Sequence, residues 1–145
     1  MTLRRLFLNG RFQAPASAQE IASTEAELGI QFPSQLRALY LECNGFREDR
    51  GNAKYLLSLR EEDYVGSLLT ITRLLWSSTA GPNLKPFVFF GSSSADEHWG
   101  IRVTLPHEII AYHHRMEDEY EVLDNDILAV YQSDYERYDD GANRH

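Results

Sequence analysis

The chain has 145 residues, is 43% hydrophobic, and carries one cysteine and a formal net charge of −8. That length fits one domain, and a chain of this size hides roughly 70% of its unfolded surface on folding, so a core suffices without disulfides or metal. With Cys43 as the single cysteine, an internal disulfide framework is excluded, which favours a reducing compartment.

The charge is unevenly placed. Residues 117–140 hold ten acidic side chains and one basic one, Arg137, so that segment is −9 and the rest of the chain +1. Such an end repels nucleic acid and anionic membranes and attracts a basic partner. The basic residues, among them Arg4, Arg11, Arg37, Arg47, Lys54 and Arg60, are scattered and form no stripe, so no nucleic-acid partner is expected. The opening MTLRRLFLNGRF has two arginines but no apolar stretch of signal length, and the longest apolar runs are far too short to span a bilayer. A cytoplasmic protein with no membrane partner is expected.

In chain order, residues 1–16 form an N-terminal arm whose packing the sequence leaves open. Ser17 and Glu20 make an S-x-x-E capping box, which predicts a helix over 17–28, closed by Gly29 in the left-handed position. Pro33 suits the first turn of a second helix. There Leu36, Leu39, Tyr40 and Cys43 recur at i, i+3, i+4, i+7 as one apolar stripe, stopped by Asn44-Gly45. The two helices are expected to pair as an αα-hairpin.

Arg47–Ala53 reads as a polar loop and Tyr55–Leu59 as a short strand. Val65, Leu68, Leu69, Thr72, Leu75 and Trp76 predict a third helix over 61–76. Phe87–Phe90 is a buried strand, Gly91–Glu97 a Ser-rich loop, and Trp99, Ile101, Val103 and Leu105 one face of a strand over 99–105. Strands at 109–114 and 120–123 follow, and the short links require an antiparallel meander. Asp124 or Asn125 caps a closing helix with Ile127, Leu128, Tyr131 and Tyr135 inward. Helices, then strands, then a helix is an α+β order, with one domain over 17–140.

The pattern Ile21-x3-Glu25-x2-Leu28-Gly29-x2-Phe32-Pro33-x2-Leu36-x3-Tyr40-x3-Asn44-Gly45 resembles the N-terminal signature of the SUKH superfamily (SMI/KNR-like). Phe32 stands where that family usually has leucine. Phe90-Gly91 before a polar loop, and Tyr112-His113-His114 before an acidic turn and a closing helix, also resemble it. The resemblance covers about residues 17 to 138, and the loop Ser92–Asp96 departs from the family's more usual glycines and aspartates. It implies an N-terminal αα-hairpin and further helices packed on an antiparallel sheet. It also implies function by binding, since many bacterial members are immunity proteins that neutralise a toxin and fungal members are interaction proteins in cell-wall regulation. No shared catalytic residues are known for the family it resembles, so none is carried over.

The residues offer little chemistry. Cys43 lies on the apolar stripe of the second helix, where it acts as a small hydrophobe. His98, His107, His113 and His114 have no metal-ligand spacing, and the adjacent pair points to opposite faces of a strand. Gly91-Ser92-Ser93-Ser94 lacks the lysine of a phosphate loop, and no G-x-S-x-G is present. No catalytic residue, metal or cofactor is expected, and the protein is read as a non-enzyme. The expected partner is a protein, foremost a toxin domain with a basic surface. It would be bound through Asp96, Glu97, Glu117, Asp118, Glu119, Glu121, Asp124, Asp126, Asp134, Glu136, Tyr138, Asp139 and Asp140, the tyrosine as an exposed anchor. A regulatory scaffold is the second expectation and an uncharacterised enzyme the third.

Overall fold

A computed structural model describes residues 2–48, 54–61, 66–78, 81–93, 97–113 and 119–132. The elements run α1 (Leu3–Leu6), β1 (Arg11–Phe12), α2 (Ala18–Leu28), α3 (Ser34–Glu42), β2 (Phe46–Arg47), β3 (Tyr55–Leu56), α4 (Leu68–Ser77), β4 (Phe87–Ser92), β5 (Glu97–Arg102), β6 (Ile109–His113) and β7 (Glu121–Asp124). A fifth helix, α5, occupies residues 127–132. The seven strands form one sheet in the order β1 to β7, and every neighbouring pair is antiparallel. The architecture is α+β.

The local reasons are those of the sequence. Ser17 Oγ accepts from Glu20 N at 3.0 Å and Glu20 Oε1 accepts from Ser17 N at 3.0 Å, so two amide groups at the start of α2 are satisfied reciprocally. Gly29 ends α2 at φ 71°. The elbow into α3 is pinned by one carboxylate: Glu25 Oε2 accepts from Phe32 N at 2.6 Å and from Arg37 Nη2 at 2.7 Å. Leu36, Leu39, Tyr40 and Cys43 are all buried.

β4 is buried along its whole length, and its alternation divides the core. Val88 and Phe90, with Trp99, Ile101, Ile109 and Ala111, face Leu36, Leu39, Tyr40, Ile127, Val130 and Tyr131. Phe87, Phe89, Ile110 and Tyr112 face the other way, with Leu75 and Leu84. β3 pairs only with Gly91 and Ser92 of β4, and α4 takes the rest of that edge. Thr72 Oγ1 accepts from Phe89 N (3.0 Å) and donates to Phe89 O (3.4 Å), while Trp76 Nε1 donates to Phe87 O at 2.7 Å. Backbone groups that a longer β3 would have paired are satisfied by side chains instead.

The structure alters several details. Residues 2–16, whose packing the sequence leaves open, are built into the body: Leu3, Phe7 and Ala16 are buried and β1 pairs with β2. α4 starts at Leu68, with a Ser67–Thr70 capping box. The segment expected as a Ser-rich loop gives Gly91 and Ser92 to β4 and Glu97 to β5. β5 stops at Arg102, so Leu105 is not on its face but 83% exposed in the turn to β6. Arg102 turns back there, its N donating to Glu108 O at 2.8 Å and its guanidinium pairing with the Glu108 carboxylate. Val130, absent from the expected inner face of the last helix, is buried there beside Ile127 and Tyr131, while Leu128 is half-buried.

Candidate functional site: the acidic rim of the sheet

Among the described residues, β7 is the last strand of the sheet and its edge, four residues long and mostly exposed. Short charged strands are how natural sheets keep an edge from pairing indiscriminately. Glu119, Glu121, Asp124 and Asp126 are all exposed on β7 or its flanks, and residues 119–132 contain no lysine or arginine. Across the ladder Glu121 stands opposite Ala111, Val122 opposite Ile110, and Asp124 opposite Ile109.

The rim turns into α5 through side-chain hydrogen bonds. Asp124 Oδ1 accepts from Asn125 N (2.6 Å) and Asp126 N (3.1 Å), so it shapes the turn, as Asp side chains do. The first amide of α5, Ile127 N, donates to Gln35 Oε1 at 2.8 Å, and Gln35 Nε2 donates to Asn125 O at 2.8 Å. The helix start is thus capped from α3 as well as from its own turn.

Behind the rim lies an open groove of about 270 Å³ between α3, the residue before α1 and the start of α5. Ala38, Leu39, Ile127 and Leu128 line it, with Asp126 and Glu42 as its carboxylates. Glu42 is held in place: its two oxygens accept from Leu3 N (3.4 Å) and Arg4 N (3.0 Å) at the start of α1.

Of the expected site residues, Glu119, Glu121, Asp124 and Asp126 come together on this rim. Glu97 differs from the expected loop carboxylate: it is half-buried on β5, opposite His113, and its Oε1 accepts from Trp99 Nε1 at 2.6 Å. Asp96, Glu117, Asp118, Asp134, Glu136, Tyr138, Asp139 and Asp140 lie outside the described residues. Tyr120 is half-buried, its ring 5.2 Å from Phe87 in an edge contact. Gln35 and Glu42 were not singled out from the sequence, since a helical Gln and Glu carry no signal of the distant amides they bind.

Other chemistry-bearing side chains are engaged in the fold. Cys43 is fully buried, and burial, then the Glu42 charge, push its thiol up to about 12, against smaller opposing effects of Arg4 and the Gly45 amide. Burial raises the Tyr40 and Tyr131 phenols well above their ordinary value, and their hydroxyls donate to Leu57 O (2.6 Å) and Tyr55 O (2.8 Å). His98 is buried edge-on to Phe89, and His107, at φ 57°, has Nδ1 3.0 Å from Arg102 O. Among the described residues, no group of three or more His, Cys, Asp or Glu side chains converges as for a metal ion, and no helix is long and apolar enough to cross a membrane. Basic side chains are engaged too: Arg37 pairs with Glu25 (2.7 Å) and Arg60 with Glu27 (2.9 Å), while Lys54 is buried with Nζ 5.7 Å from the Phe7 ring centre.

Fold and rim together define an α+β domain with a seven-stranded antiparallel sheet and an acidic exposed edge. The chain belongs to the SMI1 / KNR4 family (SUKH-1), whose model matches residues 15–138. Among curated proteins, no relative matches the sequence.

Proposed function

We propose that this chain is a non-enzymatic, cytoplasmic protein-binding domain that acts as an immunity protein, neutralising a cognate toxin whose working surface is basic. The observation that carries this reading is the rim: four exposed carboxylates between residues 119 and 132 with no lysine or arginine among them. Family membership supports it through the immunity role that the SUKH resemblance implies. Toxins that act on nucleic acid or other anionic targets present cationic surfaces. An acidic rim steers such a surface into encounter, and steering of this kind lifts association rates toward about 10⁸–10⁹ M⁻¹s⁻¹ at low salt. Once docked, the carboxylates occupy the places of the target's phosphates.

The test is co-expression with toxin domains of basic surface, to find the one this chain protects against. Cells making both should grow, and cells making the toxin with a Glu119→Lys, Glu121→Lys double variant should not. Full protection by that variant would remove the rim from the reading.

A further inference from the structure

The groove behind the rim has a shape and charge that select one kind of occupant. We propose that it seats an arginine side chain of the protein partner, with its stem along α3 and its guanidinium at Asp126. The inference rests on the reading above only in taking the partner to be a basic protein.

Gln35, Ala38, Leu39 and Glu42 follow one face of α3 at i, i+3, i+4, i+7, so the groove runs about 10 Å along the helix at 1.5 Å per residue. Its floor, from Ala38, Leu39, Ile127 and Leu128, is apolar, and a carboxylate stands at each end. An apolar trough with an acidic end matches a long cationic side chain, which lays its methylenes on apolar surface and carries its charge at the tip. A guanidinium can meet a carboxylate through two parallel hydrogen bonds, as an ammonium cannot. The groove, about 270 Å³ and open to solvent, has room for one long side chain.

The walls are set before anything binds. Gln35 ties α3 to Asn125 and Ile127, and Glu42 ties α3 to α1. A site already ordered loses little freedom on binding. A second copy of this chain is a poor occupant, because the two acidic rims would meet.

The experiment titrates the full-length protein with acetyl-Leu-Arg-Leu-amide while recording amide NMR spectra. Saturable shifts should concentrate at Ala38, Leu39, Glu42 and residues 126–128. Affinity should fall about tenfold, the 1.4 kcal/mol scale of one charge-assisted contact, for Asp126→Asn and for a peptide with norleucine in place of arginine. Ala38→Arg, at an exposed helical position, should abolish binding by placing the protein's own guanidinium in the groove, with an unchanged melting temperature. Shifts confined to β7, or an undiminished response in Ala38→Arg, would overturn the proposal, as would concentration-dependent dimerisation as the source of the shifts. With the toxin itself, tight binding to Ala38→Arg would overturn the groove and leave the immunity reading standing. No binding to the unaltered protein would remove that reading, while the peptide titration still decides the groove.

Discussion

Gln35 Oε1 accepts the amide of Ile127 at 2.8 Å, joining the first turn of α3 to the first turn of α5 across 92 residues of chain. The same side chain donates to Asn125 O at 2.8 Å. Both backbone groups belong to the turn that carries Asp124 and Asp126. Gln35→Ala should lower stability by about 1–2 kcal/mol, the cost of losing such hydrogen bonds. It should also raise hydrogen exchange at residues 125–128 before the rest of the molecule, read by mass spectrometry. Exchange unchanged in that segment would mean that α5 is held by packing alone.

Gly91 is required for close approach rather than for its backbone angle. A Cβ there would lie 2.2 Å from Tyr55 O and 2.6 Å from Tyr131 Oη, where Tyr131 donates to Tyr55 at 2.8 Å. Gly91→Ala should cost about 3 kcal/mol, the upper part of the range for overpacking, measured by urea unfolding. Adding Tyr131→Phe should not rescue it, because the carbonyl clash remains.

The Ser17–Glu20 capping box is exposed and independent of the rim. Ser17→Ala should cost about 1 kcal/mol and leave partner binding unchanged.

Cys43 should resist Ellman's reagent in the folded protein and react fully in denaturant, because its thiol is buried and pushed up to about 12. Its pKa in the unfolded chain is near 9.0. The folded state therefore holds the proton more tightly, and the associated stability is complete below about pH 9 and lost as pH rises toward 12. Tyr40 and Tyr131 are shifted in the same direction by burial and add to the alkaline loss. Denaturation midpoints should fall across that window, and Cys43→Ala should reduce the slope.

Local signals were legible where one short stretch decides the outcome. The capping box, Gly29, the stripe through Leu36 and Cys43, and the apolar run Phe87–Phe90 each fold as their own residues dictate. Features set by distant partners were not. The start of α4 was read too early because its capping box has Thr70 where Glu or Gln is the usual signal. The alternation from Trp99 to Leu105 ran past the true strand end because Arg102 turns back onto Glu108, a contact with no sequence mark. The acidic character of residues 119–126 is plain from charge alone, whereas the groove behind them depends on Gln35 and Glu42 reaching residues 92 and 38–39 positions away.

The central claim is that exposed carboxylates on β7 and its flanks draw in a basic protein. It is tested by stopped-flow association of the purified protein with whichever toxin domain it protects against in co-expression, between about 0.01 and 1 M salt, where the screening length shrinks from about 30 to about 3 Å. The account predicts an association rate that falls by an order of magnitude or more, with a shallower dependence for Glu119→Gln, Glu121→Gln. A rate indifferent to salt, and identical in that variant, would contradict it.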